Sequence, residues 1–176
     1  MTEKKAIIYC SASYDIDPEY NEVAAGVVRL LCARGYSIGS GVTIKGTMKV
    51  VVDVALECGA HVWGAIPRFM KGLEHPAVTD LVWTDTMAQR KHLMREGTSV
   101  AVALPGGIGT LEEVIETFTL VKLNQYQGKV IAYNHNGFYE PLKALLDHYV
   151  ETKMMDQETR EKMLFPSTLE ELGKLI

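Results

Sequence analysis

The sequence lacks the cysteine and histidine patterns of disulfide-bonded and metal-binding proteins. Its three cysteines, Cys10, Cys32 and Cys58, are widely spaced and form no C-x-x-C pair. We therefore interpret them as buried thiols of a reducing compartment and expect a cytoplasmic protein. The five histidines form no H-x-x-x-H or Cys/His cluster. We predict neither a bound metal nor a cofactor.

Excess charge of one sign and long apolar runs are also missing. The net charge of −4 excludes the basic surface typical of nucleic-acid or anionic-membrane binding. The apolar run after the charged amino terminus stops near Cys10, too short for a signal peptide, and no stretch approaches the length of a membrane span. With 47% hydrophobic and 23% charged residues, the composition fits a single domain over residues 1–176.

What the sequence does contain is an alternation of strand and helix patterns. Six apolar runs predict strands, at residues 6–10, 36–38, 61–66, 81–84, 100–104 and 130–133. Helical patterns lie between them, and the carboxyl end from Glu158 onward also has a helical pattern, interrupted by Pro166. This alternation predicts a three-layer, doubly wound parallel α/β sheet with helices on both faces.

The centre of the chain changes from a strand to a helix across a glycine-rich turn. The apolar run 100–104 ends at a proline, and three glycines follow among residues 106–109. From Leu111, apolar residues recur at helical spacing. Glycines let backbone N–H groups approach a ligand, and the start of a helix adds unpaired N–H groups and a partial positive charge. The turn therefore predicts a phosphate site, with a plain tight turn as the alternative.

This turn differs from the common nucleotide-binding motifs. It lacks the third glycine of the dinucleotide fingerprint and the Lys-Ser or Lys-Thr pair of a Walker loop. The segment Gly41–Gly46 imitates the Walker spacing, but Thr47 stands where the lysine belongs. We expect three segments, residues 10–13, the loop 39–46 and the turn 105–110, to converge beyond the carboxyl ends of the strands, where ligands of such sheets bind.

Two helical segments carry charged residues that suit chemistry. The apolar stripe at 111, 114, 115 and 118 predicts that Glu113 and Glu116 face solvent. Alternatively, Glu113 leans back toward the turn as a catalytic acid, and a second subunit covers that face. Upstream, Arg90 and Lys91 lie on one face between two methionines, Met87 and Met94. They either extend over a half-buried stripe or pair with a phosphate or an acidic catalyst.

Four segments resemble one known family. Residues 105–113 match the signature P-G-G-x-G-T-x-x-E of the LOG ("lonely guy") family, and residues 87–91 match its M-x-x-R-K segment. Residues 66–68 and 136–139 are similar to its I-P-R and D-G-Y-Y stretches. The resemblance covers nearly the whole chain and implies a Rossmann-like fold and a homodimer.

The resemblance also implies an activity. Members of this family are cytokinin riboside 5′-monophosphate phosphoribohydrolases, which hydrolyse the N-glycosidic bond of a nucleoside monophosphate, often AMP too, to free base and ribose 5-phosphate. The resemblance implies that Arg90 and Glu113 are catalytic residues. The substrate-binding residues that it implies are Lys91, Gly106, Gly107, Ile108, Gly109, Thr110, Thr119 and Glu74. The sugar gains positive charge as its bond to the base breaks, so Glu113 would stabilise that charge and activate water, while Arg90 would orient Glu113 or bind phosphate.

Two other functions remain open from the sequence. A nucleotide-binding or carrier protein without hydrolysis would use the same turn, and the segment 39–48, which departs from the family's G-G-G-x-x-G-x-M-G pattern, favours it. A pyridoxal phosphate decarboxylase would need a Schiff-base lysine, and no lysine stands in a recognisable setting for one.

Overall fold

The structure, a computed structural model, describes residues 4–78 and 80–176 as a parallel sheet flanked by helices. The strands are β1 (Lys4–Tyr9), β2 (Tyr36–Ser40), β3 (Val62–Pro67), β4 (Asp80–Thr84), β5 (Val100–Ala103), β6 (Lys129–Ala132) and β7 (Met163–Leu164). The helices are α1 (Pro18–Ala33), α2 (Gly46–Glu57), α3 (Met87–Arg95), α4 (Ile108–Lys122), α5 (Glu140–Glu151), α6 (Gln157–Glu161) and α7 (Leu169–Leu175). Short 3-10 turns follow β3 and β6.

The strand order creates a switch point in the middle of the sheet. All seven strands are parallel in the order β4-β3-β2-β1-β5-β6-β7. The chain therefore winds outward from β1 to β4 and then returns to place β5 on the other side of β1, with Ala6 beside Val100. The predicted doubly wound fold is confirmed, and its ligand crevice belongs at the carboxyl ends of β1 and β5.

Two apolar layers cover the sheet. Side chains of β1 alternate between them: Ile8 packs with α1, α2 and α7, whereas Ile7 packs with α3, α4 and α5. Because successive side chains of a strand point to opposite faces and both faces are covered, the central strands read as continuous apolar runs. This is why six of the seven strands are visible in the sequence.

Local signals set the ends of the helices. The side chain of Asp17 accepts a hydrogen bond from the Glu19 N–H, and Pro18 occupies the first turn of α1. At the start of α3, Thr86 and Gln89 exchange side-chain and backbone hydrogen bonds in a capping box. This cap fixes the helix that carries Arg90.

The carboxyl end differs from the prediction. Instead of a helical pattern from Glu158 onward, α6 is followed by the two-residue strand β7, which pairs with Val130 and Ile131. Met163 is buried there, so packing against the edge of the sheet overrides the local helical preference. After Pro166, Thr168 caps the last helix by accepting a hydrogen bond from the Glu171 N–H.

The thiols also differ from the prediction. Cys10 is buried, but Cys32 is half-buried and Cys58 is exposed, and all three are free. The expectation that all three are buried is therefore wrong. Among residues 4–78 and 80–176, no three His, Cys, Asp or Glu side chains cluster as metal ligands would. No helix in the same part of the chain is long and apolar enough to cross a membrane.

Candidate active site

A cleft of about 280 Å³ opens at the switch point, beyond the carboxyl ends of β1 and β5. Three segments meet there: the end of β1, the start of α2 and the glycine turn before α4. The first and third are as predicted from the sequence, whereas the second contributes Met48, two residues beyond the predicted loop 39–46. The lining residues are Cys10, Ser11, Ala12, Ser13, Met48, Met87, Arg90, Gly107, Gly109, Thr110, Glu112 and Glu113. Gly46 lies so close to the Ser13 carbonyl oxygen that a methyl group on Gly46 would overlap it. The absence of a side chain at position 46 therefore lets the start of α2 pack closely against the segment after β1.

The glycine turn presents an open helix start to the cleft. Gly107 precedes the first turn of α4 and no side chain caps it, so the first N–H groups of the helix remain available to an anion. Gly106 has a different role. A methyl group on Gly106 would overlap Thr110 Oγ1, so the absence of a side chain at position 106 leaves space for the hydroxyl group of the buried Thr110.

The acid of the cleft is buried against a cation. Glu113, on α4, is 5% exposed, and Arg90, on α3, is 4% exposed. Arg90 Nη1 donates to Glu113 Oε1 at 3.3 Å, and Arg90 Nε donates to the Ala65 carbonyl oxygen of β3 at 3.1 Å. The sequence left open whether Arg90 orients Glu113 or binds phosphate. In this structure Arg90 contacts Glu113.

Burial changes the protonation of this acid. Removal from water raises the pKa of Glu113 to about 7, against the lowering effect of the Arg90 charge. The neighbouring Glu112 carboxylate adds to the rise and Lys91 opposes it. A carboxyl group that titrates near neutral pH can hold a proton or release it during a reaction, which suits general acid–base chemistry.

The predicted orientation of α4 is confirmed only in part. Val114 and Phe118 of the predicted apolar stripe are buried and Ile115 packs against the core, whereas Leu111 is exposed and Glu113, predicted on the solvent face in one of the two alternatives, is buried. Helix α4 therefore turns Glu113 inward, and Arg90 of the same chain, not a second subunit, covers it. The opposing charge makes this orientation tolerable, because a buried carboxylate without a partner is costly.

Lys91, which the resemblance places beside the ligand, does not line the cleft. Its ammonium contacts the Glu112 carboxylate and lies 2.6 Å from Glu116 Oε2. Partial burial lowers the pKa of Lys91, but these two carboxylates outweigh it and raise the pKa overall. Arg95 also pairs with Glu116, at 3.1 Å, so three ion pairs join α3 to α4 beside the Arg90 contact. Lys91 therefore contacts a residue that lines the cleft, Glu112, but does not line the cleft itself.

Three other predicted substrate-binding residues lie outside the cleft. Ile108 is 82% exposed at the tip of the turn. Glu74 lies on the loop after β3, where its carboxylate accepts a hydrogen bond from the Gly72 N–H at 2.6 Å. Thr119 lies on the other side of α4. The structure brings Gly107, Gly109 and Thr110 together with Arg90 and Glu113 and leaves these three apart.

One contact of the site was missed from the sequence. The Ala65 carbonyl oxygen holds Arg90, but a backbone acceptor at the end of a strand leaves no mark in the sequence. Met48, in contrast, is the last residue of the segment 39–48 that the sequence analysis singled out, and it lines the cleft.

Thr119 lies in a second cavity, the apolar groove between α4 and α5. Its volume is about 340 Å³. The large side chains that line it and remain well exposed are Leu111, Leu145, Tyr149 and Met154. A larger polar cleft, of about 610 Å³, lies around Arg95 and Gly97 at the amino end of β5. That is the wrong edge of a parallel sheet for its ligand crevice, so size does not locate the site.

The sequence is similar to those of known proteins. The sequence profile of a family described as "possible lysine decarboxylase" matches residues 48–176. A cytokinin riboside 5′-monophosphate phosphoribohydrolase of Rhodococcoides fascians is 28% identical over 96% of this chain and 87% of its own length. A probable enzyme of the same name from Oryza sativa subsp. japonica is 30% identical over 96% and 81%. The chain belongs to the LOG family.

Solved structures share the LOG-family fold of this chain. A molybdenum cofactor binding protein from Rippkaea orientalis superposes with a TM-score of 0.74 over 99% of this chain and 96% of its own, at 19% identity. The molybdenum cofactor carrier protein of Chlamydomonas reinhardtii gives 0.72 over 98% and 95%, at 14% identity. At these identities the comparison establishes the fold and leaves function to the site.

The decarboxylase description raises the question of pyridoxal phosphate, and the cleft does not fit it. That cofactor needs a lysine for its Schiff base. No lysine is among the described residues that line the cleft, and Lys91, the nearest on α3, is engaged by two carboxylates. The residues of the cleft therefore do not suit pyridoxal phosphate chemistry.

Proposed function

We propose that this protein hydrolyses the N-glycosidic bond of a nucleoside 5′-monophosphate, a cytokinin nucleotide or AMP, to free base and ribose 5-phosphate. The observation that carries the proposal is the buried Glu113 beside Arg90 in the cleft at the switch point. The names of the relatives support the same reaction.

The glycine turn binds the phosphate in this proposal. The first N–H groups of α4 and the Thr110 hydroxyl surround the end of the cleft where a 5′-phosphate fits. Gly107 and Gly109 contribute backbone without a side chain that would block the approach. Holding the phosphate there positions the ribose beside Glu113, and fixed positioning lowers the barrier by replacing a chance encounter.

Glu113 performs the chemistry in this proposal. As the bond between C1′ and the base nitrogen breaks, positive charge grows on the ribose, and the carboxylate stabilises it. A water molecule then bonds to C1′, and Glu113 accepts its proton, while the electron pair of the broken bond leaves with the base. Arg90 keeps the carboxylate aimed into the cleft.

A screen of nucleoside monophosphates tests the proposal. Purified protein is incubated with AMP and with an N6-alkylated adenosine monophosphate, and free base and ribose 5-phosphate are followed by liquid chromatography and phosphorus NMR. Release of both products in equal amounts supports hydrolysis. Binding of the nucleotides without any release would instead identify the carrier function, since a carrier keeps the phosphate site and does not need the buried acid.

We also propose that the protein is a homodimer that assembles through the apolar groove. Leu111, Leu145, Tyr149 and Met154 are 36%, 45%, 40% and 76% exposed. A contiguous apolar surface of this kind is typical of an interface. Thr119 lines the groove, so a ligand contact from Thr119 requires the cleft of a partner subunit. We propose, in addition, that the protein is cytoplasmic, as expected from the sequence.

A further inference from the structure

Gly41, in the loop after β2, lies against the guanidinium group of Arg90. A methyl group on Gly41 would overlap Arg90 Nη2 and would lie 2.8 Å from Met48 Sδ. Both neighbours line the cleft. No positive φ requires glycine at this position, since Gly41 is not among the residues with left-handed backbone. The space, not the backbone conformation, therefore explains the glycine.

The guanidinium group has little freedom to avoid such a methyl group. Nε donates to the Ala65 carbonyl oxygen and Nη1 donates to Glu113, so two of its three nitrogens are already held. The third nitrogen, Nη2, occupies the space beside Gly41. A side chain at position 41 would push the end of Arg90 away and break one or both of these hydrogen bonds.

We propose that Gly41 is a positioning residue of the site, whose missing side chain leaves the space in which Arg90 lies against Glu113. The role in catalysis rests on the proposed function. The role in placing Arg90 does not, because it concerns groups of the chain itself.

The protonation of Glu113 reports the position of Arg90. The titratable and charged groups that act on Glu113 are Arg90 and Lys91 from α3, Glu112 and Glu116 from α4, Tyr9 at the end of β1, and Cys10, which follows β1. Among them, Arg90 has the largest effect and is the one that touches position 41. Moving it away removes the main influence that keeps the pKa of Glu113 from rising further.

The experiment measures the pKa of Glu113 by carbon-13 NMR of protein labelled at the glutamate side-chain carboxyl, with Glu113→Gln to assign the signal. We expect Gly41→Ala to raise this pKa by about one unit, as loss of a nearby opposite charge does. Arg90→Ala should raise it similarly, and the double variant should add little more. Gly173→Ala, which adds a methyl group on α7 in ordinary contact with Arg34, should leave it unchanged.

A second background keeps the test valid if Gly41→Ala does not fold. The substitution Arg90→Lys removes Nη2, so adding Gly41→Ala to it should not change the pKa of Glu113 further. The proposal is overturned if Gly41→Ala leaves this pKa at the wild-type value. It is also overturned if Gly41→Ala changes the pKa as much in the Arg90→Lys background as it does in the wild-type protein.

The same variants separate this inference from the proposed function. If the shift of the Glu113 pKa appears but wild-type protein releases no base from any nucleotide, the positioning role stands and the hydrolase proposal fails. If wild-type protein is active and Gly41→Ala lowers kcat without shifting the pKa, the hydrolase proposal stands and the positioning role fails.

Discussion

Helix α4 has two faces that treat polarity in opposite ways. The face toward α3 buries a carboxylate, Glu113, against the guanidinium of Arg90. The face toward α5 leaves Leu111 exposed at the rim of an apolar groove. An amphipathic helix that serves only to pack on a core buries its apolar residues and exposes its charged ones. The buried charge therefore indicates chemistry, and the exposed apolar side indicates a surface that another protein covers.

The largest expected effect breaks the charged face. Glu113→Gln keeps the shape of the side chain and removes the negative charge. We expect kcat for base release to fall about a thousandfold, within the range that a positioned acid or base contributes. Nucleotide binding, measured by calorimetry, should change little. An unchanged kcat would contradict the role of Glu113, whereas a lost binding signal would indicate a folding defect.

The next effect sharpens the same face through stability. Because burial raises the pKa of Glu113 from 4.5 to about 7, the folded protein gains less from the ionised form than the unfolded chain does. Wild-type stability should therefore fall relative to Glu113→Gln as the pH rises from about 4 to 8. The difference between the two free energies of unfolding should change by at most about 3 kcal/mol across this window. Urea unfolding at each pH measures it, and a difference independent of pH would contradict the raised pKa.

A third prediction concerns the phosphate end of the cleft. Thr110→Val keeps the volume of the side chain and removes the hydroxyl group. We expect KM for AMP to rise about tenfold or more, because a hydrogen bond to a charged group contributes about 1.5–3 kcal/mol. Thr110→Ser should stay close to wild type. Equal KM values for the two variants would show that the hydroxyl does not bind substrate.

The smallest effect tests the apolar face. Leu145→Glu places a charge in the groove, and we expect the dissociation constant of the dimer to rise about tenfold or more. Leu123→Glu is the matched control, since Leu123 is 55% exposed but does not line the groove. Sedimentation velocity over a concentration series measures both. A monomeric wild-type protein would contradict the proposed homodimer. Dissociation caused by Leu123→Glu alone would place the dimer interface outside the groove.

The sequence predicts the sheet well and leaves the environment of Glu113 open between two alternatives, for physical reasons. Buried parallel strands leave apolar runs that any single sequence shows, but β7, with two residues, is too short to leave one. The inward turn of Glu113 depends on Arg90, 23 positions away, and on the Ala65 carbonyl oxygen. Helical periodicity contains no information on such distant partners, so it favoured the solvent face.

The motif-based part of the site fared differently. The glycine turn, Thr110, Arg90 and Glu113 lie together as the spacing and the resemblance predicted. The predicted binding residues that do not line the cleft are Lys91, Gly106, Ile108, Thr119 and Glu74. For Thr119 the physical reason lies in the helix itself, because nine residues of helix separate it from Thr110 by about 13 Å. In the proposed homodimer, a second copy of the chain would bring Thr119 near a ligand.

The pH dependence of kcat for hydrolysis of saturating AMP tests the central claim most directly. In the proposed reaction only the ionised form of Glu113 is active, and burial raises the pKa of Glu113 to about 7. We therefore expect kcat to rise with pH between 5 and 8, with a midpoint at or above pH 7. A kcat that stays constant over this range, or that falls as the pH rises, would contradict it.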